Sequence, residues 1–263
     1  MKITLLNGET LEKTELLEKM KDDSYYYGHL GKHALSSSAL KSLLQSPKAY
    51  KKSLNERKTI QEFRDGRLVH LSILEPYKLK DLIVLEGTKA RKEFKEATEQ
   101  HGEDMVYTQS EMDNAYWTAD AIKSNHSTSY LLEDCSYELP GVDMIDGLAF
   151  RAKADAISKD GSTIIDIKTT SNLGDEGDAF YWSARNFKYA MQAALYLRVF
   201  KASNFIFIVV DKSTRDVGIF ECSDEFINTG NLQIDTAIGV YKKYFQQSNS
   251  DDLIKNYVIR RVL

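Results

Sequence analysis

The segment from Phe150 to Thr170 constrains the fold of this chain more than any other. Gly147–Ile157 and Thr163–Thr169 read as two strands, joined across the turn Lys159-Asp160-Gly161. In a strand, residues two apart share a face, so Asp166 and Lys168 point the same way. Asp155 lies near the end of the first strand and reaches the same point if the two pair as a hairpin. Two carboxylates beside one lysine suit a hydrolytic metal site. Aspartate oxygens are hard ligands for Mg²⁺ or Mn²⁺, and an ammonium can orient a water or stabilise developing negative charge. The plainer alternative is a solvated strand face carrying a cross-strand ion pair.

Upstream, the pattern is mainly helical. Residues 1–7 read as a strand turning at Asn7-Gly8, and residues 10–22 as a leucine-rich helix. Residues 24–34 read as loop, and their three adjacent tyrosines either stack on bases or fill the edge of a core. Ser36 caps a helix that buries Leu40, Leu43 and Leu44. Ser46-Pro47 starts a second piece, where Lys48, Lys51 and Lys52 either touch phosphates or form a solvated face. Gln61–Glu75 is a mostly apolar helix stopped by Pro76, and Gly66 within it suggests close packing. His70 stands among Leu68, Val69, Leu71, Ile73 and Leu74, where a lone histidine is ordinarily a core residue.

Residues 80–85 and 104–107 read as short strands and Thr88–Glu99 as an exposed helix. Ser110–Ser124 reads as a helix opened by a capping-box-like Ser110…Asp113. From Cys135 the period changes to two. Cys135–Leu139 reads as a strand ending in a turn at Pro140-Gly141, and its Glu138 is either a further acidic member of the site or an ordinary exposed strand residue. Ala184–Phe200 reads as one long helix on which Tyr189, Gln192 and Tyr196 share a face, beside a polar site. Residues 204–211 form a continuous apolar run, the mark of a buried strand. Val217–Cys222 continues the sheet, Ser223–Gln247 is a last long helix, and the tail carries Arg260-Arg261.

The net charge of −4 argues against coating nucleic acid through bulk charge, but leaves room for a local basic channel. The two cysteines, Cys135 and Cys222, form no zinc or iron–sulfur spacing. No apolar run approaches the roughly 20 residues that span a bilayer, and no signal core opens the chain, so cytoplasm is the expected compartment. With no repeat or low-complexity linker, residues 1–263 read as one elaborated domain, helical to about residue 130, with the sheet and its helices over about 131–250.

This order of parts resembles the PD-(D/E)xK nuclease superfamily and, more narrowly, the exonuclease VIII (RecE) C-terminal nuclease family of phages and prophages. The matching stretches are Leu35–Lys41, Ser46–Tyr50, Gly66–His70 running to Pro76, Thr88–Lys92, Phe150–Asp155, Ile165–Thr170 and Tyr189–Tyr196, in that order. The resemblance implies an α/β, restriction-endonuclease-like fold: a central mixed β-sheet flanked by helices, with a helical N-terminal part. It implies metal ligation by Asp155, Asp166, His70 and the main-chain carbonyl of Ile167, with Mg²⁺ as cofactor and Mn²⁺ able to substitute. Lys168 would activate water. Gln192 would complete the catalytic set, with Tyr189, Tyr196, Arg185 and Lys48 toward the DNA. Glu138 has no motif match in the family. The acidic residue of the Asp-x-Lys motif is Asp, as in this family, and the cysteine set of iron–sulfur relatives is missing, so no cluster is expected.

The activity implied is digestion of linear double-stranded DNA from 5′ ends in a bacterial host cell, leaving 3′ single strands for a single-strand annealing protein. A ring-shaped homo-oligomer, a tetramer by analogy, is implied as well. Two alternatives stand beside it: a structure-specific or endonucleolytic enzyme on the same fold, and a non-catalytic DNA-binding recombination scaffold.

Overall fold

The structure is a computed structural model in which residues 1–55 and 61–260 are described. The N-terminal part begins with a hairpin of β1 (Lys2–Thr4) and β2 (Thr10–Glu12), followed by α1 (Lys13–Lys19), a π-helical turn over Tyr25–His29 and α2 (Leu30–His33). Then come α3 (Ser37–Gln45), α4 (Pro47–Ser53) and α5 (Gln61–Leu74). β3 (Ile83–Leu85), α6 (Lys92–His101), β4 (Val106–Thr108), α7 (Gln109–Ser124) and α8 (His126–Leu132) complete it, with β3 and β4 paired in parallel.

The main sheet uses β5 (Cys135–Ile145), β6 (Leu148–Ser158) and β7 (Thr163–Thr170). After α9 (Asp178–Asn186) and α10 (Tyr189–Phe200) it gains β8 (Asn204–Asp211) and β9 (Val217–Glu221). Helices α11 (Asp224–Phe245) and α12 (Ser250–Lys255) follow. The strand order is β5-β6-β7-β8-β9. Only β7 and β8 run parallel; the other neighbours are antiparallel. That parallel step requires a long crossover, which α9 and α10 supply. This is the mixed, helix-flanked sheet expected from the sequence.

Alternation along β7 divides the core. Ile164 joins Phe205, Phe207 and Val209 on the face covered by α3, α10 and α11. Ile165 and Ile167 join Ile206, Ile208 and Val210 on the face covered by Leu74 of α5, Ile122 of α7 and Leu132 of α8. Each such side chain contributes about 1.5–3 kcal/mol when fully buried. A register slip of one residue would put Asp166 and Lys168 on the α5 side and is strongly disfavoured. β8 is apolar from Phe205 to Val210 because both its faces are covered there.

Several local expectations change. The predicted helix over 10–22 is shorter, because Thr10–Glu12 pairs with β1. The predicted loop at 24–34 is helical, as the π turn and α2. The capping box on α7 is formed by Thr108 and Glu111, not by Ser110 and Asp113. Pro140-Gly141 is not a turn: β5 runs through it, at the edge of the sheet, where a proline is tolerated. The predicted long helix 184–200 is broken after Asn186, where Lys188 takes a left-handed φ of +61° and separates α9 from α10. Gly66 is not closely packed, since a Cβ there would meet only Thr169 Oγ1 at 3.8 Å. The close approach is instead at Gly230 of α11, where a Cβ would lie 2.0 Å from the Ala190 carbonyl oxygen of α10. Of the tail's Arg260-Arg261, Arg261 lies outside the described residues.

Candidate active site

β6 and β7 pair only at Ala156↔Ile165 and Ile157↔Ile164. Beyond that the strands part, and the next residues are Asp155 and Asp166. Asp155 fills the split: its Oδ2 accepts the Ile167 backbone N–H at 2.7 Å, a side chain standing in for a ladder bond. His70 reaches the same point from α5. Its Nε2–H donates to the Ile167 carbonyl at 2.8 Å, which leaves Nδ1 facing Asp155 Oδ2 at 3.5 Å. The lone histidine of an apolar helix is therefore placed at the mouth of the split.

On the other face of β7, the buried Asp166 takes two partners. Gln192 Nε2 of α10 donates to its Oδ1 at 2.5 Å, and Lys168 Nζ forms an ion pair with its Oδ2. Burial pushes the Asp166 carboxyl above its ordinary value, opposed by the Lys168 ammonium. Burial alone would lower Lys168, but the charges of Asp166 and Asp155 outweigh it and hold the lysine above its ordinary value. Lys168 also rests 5.1 Å from the Tyr189 ring centroid.

Glu138 belongs to this group. It sits opposite Asp155 on β5, between the pairs Tyr137↔Ala156 and Leu139↔Ala154, with a left-handed φ of +49°. Ligand atoms of His70, Glu138 and Asp155 all lie within 4.8 Å of one another. Burial, then the Asp155 charge, push the Glu138 carboxyl up to about 7. Like charges directly opposite on neighbouring strands repel, so a cation between them would be stabilising. Hard oxygen donors with one imidazole, converging on a split that leaves the Ile167 carbonyl accessible to His70, fit a divalent ion.

Around these groups lies a cavity of about 870 Å³, lined by His70, Glu138, Asp155, Asp166, Lys168, Gln192 and Tyr196. Tyr26, Tyr27, Arg151, Lys153 and the serines at the start of α3 line it as well. A family model for a PDDEXK-like domain of unknown function (DUF3799) matches residues 36–252, most of the chain. The chain belongs to this family. Among solved structures, a candidate exonuclease of Eubacterium rectale matches the PDDEXK-like domain with a TM-score of 0.61 at 14% identity, over 92% of this chain and 95% of that one. This likeness is one of fold. A phage-related exonuclease of Haemophilus somnus 129PT covers 81% of this chain and 95% of its own, at 15% identity and a TM-score of 0.36. None of the curated proteins matches.

Within this PDDEXK-like domain, Asp155, Asp166, Lys168, Gln192, His70 and the Ile167 carbonyl come together. Tyr196 lines the cavity but is buried, its ring packed near Phe200 and Phe205. Tyr189 stands behind Lys168, in contact with Phe180, Phe187 and Phe207. Arg185 and Lys48 are not among the lining residues. Arg185 stacks on Tyr181 of its own helix, 4.0 Å from the ring centroid, and Lys48 is exposed on α4. Arg151 and Lys153 also line the cavity; they precede Asp155 at the same two-residue period, but no motif singles them out in the sequence. Of the three adjacent tyrosines, Tyr26 is buried in a core cluster while also lining the cavity. No described helix is long and apolar enough to cross a membrane.

Proposed function

We propose that this chain is a divalent-metal-dependent exodeoxyribonuclease that hydrolyses linear double-stranded DNA from 5′ ends and leaves 3′ single strands. The observation that carries the reading is the convergence of Asp155, Asp166, Lys168 and His70 at the β6–β7 split, on the wall of an open cavity. Asp155, Asp166, His70 and the Ile167 carbonyl, with Glu138 as a further donor, would hold Mg²⁺ or Mn²⁺, which when bound neutralises phosphate charge and acidifies water. Lys168 keeps its proton beside two carboxylates and donates to the attacking water or to the phosphoryl oxygen that gains charge. Gln192 fixes the Asp166 carboxylate, so that its orientation does not depend on solvent.

End dependence rests on the resemblance to the RecE-type family and on the exonuclease description of the E. rectale fold relative. The same resemblance extends the proposal to a homo-oligomeric ring, a tetramer by analogy, that threads DNA and to a single-strand annealing protein as partner. The test is cleavage of linear against covalently closed circular duplex with Mg²⁺, using wild type beside Lys168→Ala. Loss of the linear DNA alone, and only with wild type, is the expected result. Cutting of the circle would replace this reading with an endonuclease. Cleavage of neither would favour a non-catalytic scaffold.

A further inference from the structure

The outward face of α9 is used neither by the core nor by the cavity. Phe180 and Ala184 of this helix turn inward and are buried. The same helix leaves Tyr181 48% and Trp182 61% exposed, and Phe187, just past its end, 52%. A single exposed ring needs no explanation, but adjacent ones form a patch, and a patch marks a contact surface. The rings are held in place. Tyr181 and Trp182 meet edge to face with centroids 5.4 Å apart. The Arg185 guanidinium lies 4.0 Å from the Tyr181 centroid and 5.8 Å from that of Trp182. Residues four apart share a helix face, so Arg185 braces the rings from one turn away. Phe187 carries a cation too: Lys41 Nζ of α3 stands 5.1 Å from its centroid.

The patch is positive. Among the described residues, Lys41, Arg185 and Lys188 form no ion pair with a carboxylate. Lys188 occupies a left-handed position that glycine would adopt with less strain, and its ammonium acts on Lys41. Burial, then this Lys188 charge, hold the Lys41 ammonium below its ordinary value. Like charges brought together without a counterion repel, and an anion between them relieves the repulsion. The acidic residues of this segment, Asp175, Glu176 and Asp178, lie at the opposite, amino end of α9. None of the three rings or three cations lines the cavity, yet the patch is continuous with it. Lys41 is next to Ser42, which does line it. The Phe187 centroid is 5.9 Å from that of Tyr189, and the Tyr189 centroid is 5.1 Å from the Lys168 ammonium.

Exposed ring faces interleaved with unpaired cations fit one occupant best. A protein partner would have to bring carboxylates for three cations to an aromatic surface. A duplex keeps its base faces inside its own stack and offers the rings nothing to stack on. A single strand offers both: each base has a face for a ring, and each phosphate a charge for a lysine or arginine. We propose that Tyr181, Trp182 and Phe187, with Lys41, Arg185 and Lys188, form a platform on which unpaired DNA stacks outside the cavity. The choice of DNA rests on the deoxyribonuclease reading; the stacking itself needs no catalysis.

The chain has two tryptophans, so Trp117→Phe, on α7, leaves Trp182 as the only one. In that variant, with EDTA to prevent cleavage, Trp182 fluorescence is titrated with an oligothymidylate of about 20 nucleotides, longer than one stacking site, and with a blunt duplex of equal length. Saturable quenching by the single strand and not by the duplex is the expected result. Anisotropy of the labelled single strand over a salt series gives affinities. Trp182→Ala should weaken it about 10-fold, and Lys41→Gln and Arg185→Gln should each lower the salt slope by about 0.7. Trp182 unquenched by saturating single strand, or quenched equally by the duplex, would overturn the platform. So would a Trp182 signal that changes with protein concentration alone and tracks dimerisation in sedimentation, because a second copy would then cover the surface. Cleavage of linear duplex with Mg²⁺, measured separately, keeps the two readings apart. A chain that stacks single strands but never cleaves keeps the platform and loses the nuclease; a chain that cleaves with Trp182 unquenched does the reverse.

Discussion

Gly230 is where packing and the site are joined most tightly. Replacing a helix-interior glycine by alanine normally stabilises by about 1 kcal/mol. At Gly230 the new Cβ would lie 2.0 Å from the Ala190 carbonyl oxygen and 2.5 Å from its carbon. Ordinary contact begins near 3.4 Å, so α10 and α11 must separate by about an ångström or more. Forced overpacking of this kind costs about 1–3 kcal/mol. Because the obstacle is backbone, we take the upper part of that range. Subtracting the propensity gain leaves a net loss of about 2 kcal/mol, or roughly 4–8 °C in Tm for a chain of this size. Gly239 on the same helix is the control: a Cβ there meets nothing within 4 Å, so Gly239→Ala should raise Tm. Ala190 is two residues before Gln192, so Gly230→Ala should also loosen the 2.5 Å bond from Gln192 to Asp166 and lower cleavage. Thermal melts of both variants and a cleavage assay below the lower Tm test this. A Gly230→Ala protein as stable as Gly239→Ala would refute the reasoning.

Three further outcomes follow from the site. Asp166→Asn should reduce cleavage on the order of a thousandfold with the fold retained by circular dichroism; normal turnover would remove Asp166 from the reaction. Mg²⁺ or Mn²⁺ at about 100 times its dissociation constant should add about 2.7 kcal/mol to unfolding, read as a Tm rise over EDTA that Asp155→Ala abolishes. In metal-free protein, the Glu138 carboxyl, raised from 4.5 to about 7, binds more protons folded than unfolded. It therefore costs stability as pH rises from about 4.5 to 7, and the cost is complete above 7. Glu138→Gln should be more stable than wild type at pH 8 by about 1–3 kcal/mol, the gap closing toward pH 4.5, as urea denaturation in EDTA would show.

The face carrying the carboxylates and the lysine was legible because strand periodicity is strict: Asp166 and Lys168 must share a side, and a hairpin brings Asp155 to them. The buried run of β8 was legible for a different reason: a strand covered on both faces is apolar without alternation. His70 was not, since an isolated histidine among leucines carries no local signal; only the family pattern indicated it, and only the tertiary packing of α5 takes its ring to Ile167. Glu138 was left open because its left-handed backbone departs from the alternation that sequence reading assumes. Pro140 looked like a turn because its tolerance depends on lying at a sheet edge. The helix break at Lys188 was hidden because lysine ordinarily favours helix over the left-handed conformation it takes there. Arg151 had the right period, but its burial depends on neighbours from Tyr26 and Leu35, distant in sequence.

The bond from the Ile167 amide to Asp155 Oδ2 also provides a spectroscopic handle. Most sheet amides bond to a carbonyl that no ion will compete for. This one bonds to a carboxylate that a cation would draw away or polarise. Its nitrogen-15 shift and its hydrogen–deuterium exchange rate should therefore respond to divalent ions while the neighbouring β7 amides, held by β8, stay constant. A single backbone proton would then report occupancy of the centre without substrate, turnover or any substitution in the chain.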